Sequence, residues 1–236
     1  MMAEDIKPYR LKRAKLAINK IINNLGSDRI GIVVFAGDAY LQLPLTSDHS
    51  AAEIYIDNIS TDLIPIQGTN IANALELAIE SFPKGSPTNK AVVIISDGEE
   101  HDGKAVELAK NASEDNIKVY TIGLGSKIGT TIPKYKNGKK SGIKKDRNGS
   151  AIITRLNETT LQEIAKAGKG KYVHGINSTI GLSDVMADIG GIKKTEYDTK
   201  EFTSYDSKFQ FFIGIGLIII IIEFLIIRKK GKWLNS

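Results

Sequence analysis

Two oxygen-bearing side chains stand where a site is easiest to build. Asp97 ends the apolar run KAVVIIS (Lys90–Ser96) and precedes Gly98, and Thr69 sits in the loop QGTN just before IANALELAIESF. In open α/β sheets, loops gather and ligands bind beyond the carboxyl ends of the strands. A carboxylate and a hydroxyl on neighbouring loops there are hard oxygen donors of the kind Mg2+ takes, with water filling the other octahedral positions. Each residue also has a plainer use, Thr69 as a helix N-cap and Asp97 as the turn residue before a glycine.

Other chemistry finds less support. With His49, His101 and His174 as its only histidines and no cysteine, the chain shows no Ser-His-Asp or nucleophile-elbow signature and no thiolate metal site. GLGSKIG, from Gly123 to Gly129, imitates a dinucleotide fingerprint, but its third glycine is one residue late and the following TTIP opens no helix. EEHD, from Glu99 to Asp102, reads as a solvated acidic loop.

The elements that must position Asp97 and Thr69 follow from periodicity. Leu11, Ala14, Ile18, Ile21, Ile22 and Leu25 recur at helical spacing between Pro8 and Gly26, predicting an amphipathic helix with a basic outer face. A buried strand over 29–36 and a second over 40–43 read as a hairpin, with Pro44 at an edge. A short helix follows Asp48, and Ile71, Ala74, Leu75, Ala78, Ile79 and Phe82 form the clearest helical stripe in the chain. KAVVIIS hardly alternates, as suits a strand covered on both faces. A helix near 105–112, a strand IKVYTIGLG, a Lys/Gly-rich insertion, a helix over 158–167, a strand KYVHG and a helix over 178–189 complete the pattern. Strand and helix alternate, which predicts an α/β fold with a mostly parallel open sheet and helices on both faces.

The 236 residues are 42% hydrophobic, enough for one sizeable core and something extra. The extra is FFIGIGLIIIIIEFLII, from Phe211 through Ile219 to Ile227, apolar on every side and followed by Arg228, Lys229 and Lys230. It predicts one transmembrane helix over 209–228 and a cytoplasmic tail over 229–236, with Glu223 near the interface. The polar stretch 193–208 reads as a juxtamembrane linker to a domain over 1–192. The net charge of +5 does not mark a nucleic-acid binder, because Lys127–Arg147 carries +7 and Glu223–Lys232 carries +3, leaving −5 for the rest. The first of these segments lies in an insertion over 127–155, where two Asn-Gly pairs flank lysines and predict a projecting, solvated hairpin. N-x-S/T triplets, such as those at Asn111, Asn148, Asn157 and Asn177, read as chance in an Asn-rich chain.

Taken in order, the amphipathic helix, VVFAG, GTN before a helix, and VVIISDG resemble a von Willebrand factor A domain. The opening MAEDIKPYRLKRAK, the block KKDRNGSAIITRLNETTLQEIA and the apolar C-terminal run resemble more narrowly the Bat type (BatA/BatB-like) of bacterial aerotolerance operons. That resemblance implies a metal-ion-dependent adhesion site holding Mg2+ between three loops, with Thr69 as the second-loop ligand and Asp97 as the third-loop ligand. It also implies a protein-interaction module whose partners are other aerotolerance-operon or envelope proteins, with a role in envelope or oxidative-stress tolerance and no catalysis. The alternative reading is a metal-dependent phosphoryl-transfer or hydrolytic enzyme using Asp97; a remnant that neither binds nor catalyses is the third.

The family's first strand, which ends in the Asp-x-Ser-x-Ser ligands, has no counterpart before MMAEDIKP. Three expectations follow. The metal site is partial and binds Mg2+ weakly or not at all. The chain is an N-terminally truncated or mis-started product, since the basic tail places the domain in the periplasm or outside while Glu4 and Asp5 open an N-terminus with no export signal. And the strands over 30–36 and 91–96 either pair directly or leave a gap between them; a gap is expected.

Overall fold

The computed structural model describes residues 1–86, 88–100, 103–136, 139–146, 148–175 and 180–190, together with Gly214 and Gly216. Met1–Thr195 forms one compact unit and Glu196–Ser236 a second, in which the two described glycines are helical. The expected span over 209–228 lies otherwise outside the described residues, as do its marker residues Phe211, Ile219, Ile227, Arg228, Lys229 and Lys230, the linker 193–208 and the tail 229–236. Among the described residues, no helix is long and apolar enough to cross a membrane.

The first unit begins with α1 (Arg10–Ile22), then the antiparallel hairpin β1 (Ile30–Phe35) and β2 (Ala39–Thr46). Helices α2 (His49–Asn58) and α3 (Ile71–Glu80) follow. The alternation β3 (Lys90–Ser96), α4 (Lys104–Glu114), β4 (Ile117–Gly123) comes next. The insertion holds β5 (Thr130–Thr131), β6 (Pro133–Lys136), β7 (Lys139–Ile143) and β8 (Ile153–Thr154), and α5 (Glu158–Ala167), β9 (Lys169–His174) and α6 (Ile180–Gly190) close the unit.

The strands fall into separate sheets. β3, β4 and β9 form a parallel three-stranded sheet, with β3 and β4 in register from Lys90 opposite Ile117 to Ser96 opposite Gly123. β1 and β2 form a separate pair, and among the described residues no ladder joins β1 to β3. Direct pairing of the two strands, the other outcome the sequence allowed, is therefore not found there.

Helices cover both faces. On one side α1 supplies Ala17, Ile21 and Leu25 to a cluster with Ile122 and the half-buried Ile30, Val93 and Ile95. On the other, α3 supplies Ile71, Ala72 and Leu75 to the main cluster, which includes Ile94, Val119, Leu161 and Ile164 and takes in Phe35 and Val92 at its margin. Local capping follows the sequence where short polar side chains precede helices: Asp48, Asn70 and Asn157 each accept a first-turn N–H of α2, α3 and α5. Asn70, not Thr69, is thus the N-cap of α3. The insertion contains the expected hairpin as β6–β7, and a second pairing, β5–β8, ties its base.

Candidate functional site

The site is built at the carboxyl ends of β1 and β3. The loop carrying Thr69 is fastened to the end of β1, where Asn70 N–H donates to Ala36 O at 2.7 Å and Gly37 N–H to Ile66 O at 2.9 Å. The loop carrying Asp97 is fastened to α5 through Asn157 N–H, which donates to Asp97 O at 2.8 Å. Gly98 follows with φ +70, and a Cβ there would meet Asn157 O at 2.5 Å, so the close approach requires a glycine. The bond joining the two loops belongs to Glu100, whose Oε1 accepts Ala72 N–H of α3 at 2.9 Å. Glu100 is buried, which corrects the reading of EEHD as a wholly solvated loop; Glu99 accepts Arg155 N–H, and His101 and Asp102 lie outside the described residues. A carboxylate that caps a helix start gains from the N–H groups and dipole exposed there.

Asp97 points its carboxylate at an arginine. Arg10 Nη1 lies 3.0 Å from Asp97 Oδ2 and also donates to Thr154 Oγ1 at 2.9 Å. Its Nε and Nη2 clasp Asp5 at 2.9 and 2.7 Å, and Ser126 N–H donates to the same carboxylate at 2.7 Å. Arg10 is 0% exposed and Asp97 8%. Burial acts to lower the pKa of the guanidinium, but Asp5 and Asp97 outweigh it and raise it. Burial likewise pushes the Asp5 carboxyl up, while Arg10 and the Ser126 N–H hold it below the usual carboxylate range. The Met1 amine lies within the same field: burial and Arg10 lower its pKa, and Asp97 acts in the opposite sense.

Gly125 makes room for this cluster. Its φ is +137, and a Cβ would stand 2.7 Å from Arg10 Cζ. In the same segment, a Cβ at Gly123 would press on Tyr172 and Leu156. The glycines of GLGSKIG therefore serve close packing, in keeping with the rejection of a phosphate cradle.

This donor set does not fit a divalent cation. An oxygen of Asp97 already faces a fully buried positive charge, and a second cation at that oxygen would meet the repulsion of the guanidinium at low local dielectric. Among the described residues, no group of three or more His, Asp or Glu side chains is placed to hold a metal ion. Thr69 is half-buried on its loop.

Sequence reasoning missed Arg10, assigning the charge of α1 to an outer face. The signal was present, because Arg10 precedes Ala14, Ala17 and Ile21 by four, seven and eleven residues and so continues the buried stripe. Asp5 and Thr154 carried no comparable local mark.

Comparisons with known proteins concern the chain and its fold. The chain is similar to the crystal structure of the conserved hypothetical protein BatB from Bacteroides thetaiotaomicron, at 42% identity and a TM-score of 0.78, covering 83% of this chain and 94% of that one. An aerotolerance-related membrane protein from Bacteroides fragilis, solved with multiple mutations to serines, is likewise 42% identical, with a TM-score of 0.75 over 80% and 92% of the two chains. The mussel byssus proximal thread matrix protein 1, solved with a zinc-occupied adhesion site, shares the fold alone, at 17% identity and a TM-score of 0.52 over 75% and 39%. The chain spans 62% of the length of a curated Borreliella burgdorferi protein that it matches at 22% identity over 92% of its own length. The profile of the von Willebrand factor type A domain matches residues 3–174, and the chain belongs to that family.

Proposed function

We propose that this chain is a membrane-anchored protein-interaction module that docks envelope proteins through the loops at the carboxyl ends of β1 and β3. Domains of this family are in general interaction modules, and relatives at 42% identity are described as BatB and as an aerotolerance-related membrane protein. The observation that carries the reading is the exposure of apolar side chains in the loop that leads to Thr69, Leu63 at 45% and Ile66 at 55%. Exposed apolar groups next to polar loops are the usual raw material of a docking surface. The apolar run from Phe211 to Ile227 supplies the tether, with the domain in the periplasm or outside and partners among aerotolerance-operon products.

In this reading Thr69 and Asp97 form the rim of the docking face, and Asp97 is held by Arg10 in place of an ion. Metal-gated capture of a partner's carboxylate is therefore not part of the mechanism, whatever the zinc site of the mussel protein does there.

The test is a photo-crosslinking amino acid in place of Ile66 in cells, with another in place of Asn116, which precedes β4 at the opposite end of the strands. A discrete adduct from Ile66, insensitive to EDTA and absent from Asn116, is expected. Equal labelling at both positions, or none, would overturn the docking face. Because the chain has no cysteine, Ser150→Cys gives a single thiol for the tether and orientation. A membrane-impermeant maleimide should label it on intact spheroplasts.

A further inference from the structure

The insertion between β4 and α5 carries more positive charge than its fold uses. Lys127–Arg147 holds eight basic residues and one acid, Asp146. That acid is engaged locally, since its Oδ1 accepts the N–H groups of Asn148 and Ser150 at 2.9 Å. Lys127 pairs with Glu158 and Lys140 with Glu4. Lys134, Lys144 and Lys145 are exposed, and among the described residues no carboxylate lies within ion-pair reach of them. Register also sets Lys136 opposite Lys139 in the hairpin β6–β7. Like charges at opposed positions weaken a strand pair, so these lysines are not there to hold the hairpin together.

Aliphatic side chains stand among them. Ile128 is 89% exposed, and Tyr135, Ile143 and Ile153 are exposed as well. The ladders bring these residues and the lysines into one small module. Thr131 pairs with Ile153 and Pro133 with Ile143, and a Cβ on Gly129, next to Ile128, would meet Ile153 Cγ2 at 2.9 Å. Lys144 N–H donates to Ile132 O at 2.7 Å, and Ile152 N–H donates to Lys144 O at 3.0 Å. A solvated hairpin accounts for the lysines. It does not account for the isoleucines, whose exposure to water is unfavourable.

Amines beside bare aliphatic groups match the boundary of an anionic bilayer, where phosphates meet the cations and the acyl region receives the apolar tips. An acidic polypeptide would answer the lysines and leave the isoleucines in water. The choice of a lipid rests on the tether proposed above. Residues 191–210 can span up to roughly 70 Å, so the length of that segment does not bar the insertion from the surface.

We propose that this insertion is a second membrane contact: Lys134, Lys144 and Lys145 bind the phosphate groups of anionic phospholipids, and Ile128 and Ile153 enter the boundary beneath them. The loop face around Ile66 plays no part in it.

The experiment uses the full chain in vesicles of phosphatidylcholine, with or without phosphatidylglycerol. Because the chain has no cysteine, Ile128→Cys carries one environment-sensitive fluorophore. Glu114→Cys, at the exposed last residue of α4, carries it as the control. With phosphatidylglycerol present, the label at position 128 should shift to the blue and be quenched by spin-labelled lipid. The shift should vanish between about 0.1 M and about 1 M salt, as the screening length falls from about 10 Å to about 3 Å. Adding Lys134→Gln, Lys144→Gln and Lys145→Gln should lower the docked-to-free ratio by at least about tenfold, and the label at position 114 should stay silent. Equal shifts in the two lipids, no shift in either, or a shift at both labels would overturn the proposal. So would a shift that appears only when poly-glutamate is added, which would make an acidic polypeptide the partner. Alkaline extraction separates this result from that of the tether. A chain released by alkali whose label at position 128 still responds to phosphatidylglycerol sinks the tether and keeps this contact; a silent label on a chain that alkali does not release does the reverse.

Discussion

β3 and β4 are neighbours of the same length and similar apolar content, yet one is half-exposed and the other almost wholly buried. Composition does not separate them, since KAVVIIS is if anything the more hydrophobic of the two. The difference is lateral. β4 has β3 on one side and β9 on the other, with α4 and α5 packed over it, whereas among the described residues β3 pairs with β4 alone. Helices roof both strands, so a roof alone does not dry a strand. Burial in a sheet is decided as much by the lanes on either side as by the layers above and below. The first unit is thus knit by a continuous ladder from β3 to β9, while among the described residues none joins β3 to β1; the ion cluster of Arg10 ties α1 to the end of β3 and to the insertion.

The largest effect should come from breaking that cluster. Arg10→Ala leaves the carboxylates of Asp5 and Asp97 buried without their counter-charge, and removing one partner of a buried pair typically costs about 3–5 kcal/mol. Urea denaturation should show that loss, and adding Asp5→Asn and Asp97→Asn to Arg10→Ala should recover part of it. A loss below about 1 kcal/mol would place the cluster in the range of surface pairs.

Next in size is a matched pair of glycine substitutions, one on each side of the seam. A Cβ at Gly170 in β9 would stand 2.2 Å from Val119 O, which must force β9 away from β4, whereas at Gly31 in β1 the nearest atom is Leu43 O at 3.3 Å. Gly170→Ala should therefore destabilise by about 1–3 kcal/mol. Gly31→Ala should stay within about 1 kcal/mol of neutral, the tight contact with Leu43 O opposing the gain through the unfolded chain. Thermal melts of the two variants compare the tight side with the loose one directly.

A smaller effect belongs to acid. The folded Asp5 carboxyl titrates below its ordinary, unfolded value, because Arg10 and the Ser126 N–H outweigh the opposing effect of burial. Its contribution is present above that unfolded value and is lost as pH falls through the lower, folded one. Urea midpoints measured downward from pH 5 should fall more steeply in the native chain than in Asp5→Asn. The same slope in both would remove Asp5 from the acid limb.

The smallest expected effect is that of magnesium. With Asp97 held by Arg10, calorimetric titration should give no binding at micromolar Mg2+ and the melting temperature should not move. A rise in melting temperature with Mg2+ that disappears in Asp97→Asn would show that the ion displaces the guanidinium.

Helix and strand positions were legible because they depend on local periodicity. The stripes of α1 and α3, the flat apolar run of β3 and the polar N-cap residues are each written within about a dozen residues, and the helix expected over 158–167 coincides with α5. The gap beside β3 was also anticipated, but from resemblance rather than from pattern, since an apolar strand reads the same with one neighbour or two. Asp97 does follow directly on the end of β3, as the sequence pattern expects. Its partner was not found, because a helix residue with a long charged side chain reads as solvent-facing unless its stripe is followed to the last turn.

By itself, then, the sequence determined the order and kind of elements, the apolar faces that must be covered, and the loops that gather beyond β1 and β3. Tertiary structure alone decided that Arg10 reaches Asp97 across 87 positions in the chain and that Asn70 rather than Thr69 caps α3. The physical reason is range. Periodicity and capping act through neighbours along the chain, whereas ion pairing and strand adjacency depend on which distant segments fold against each other.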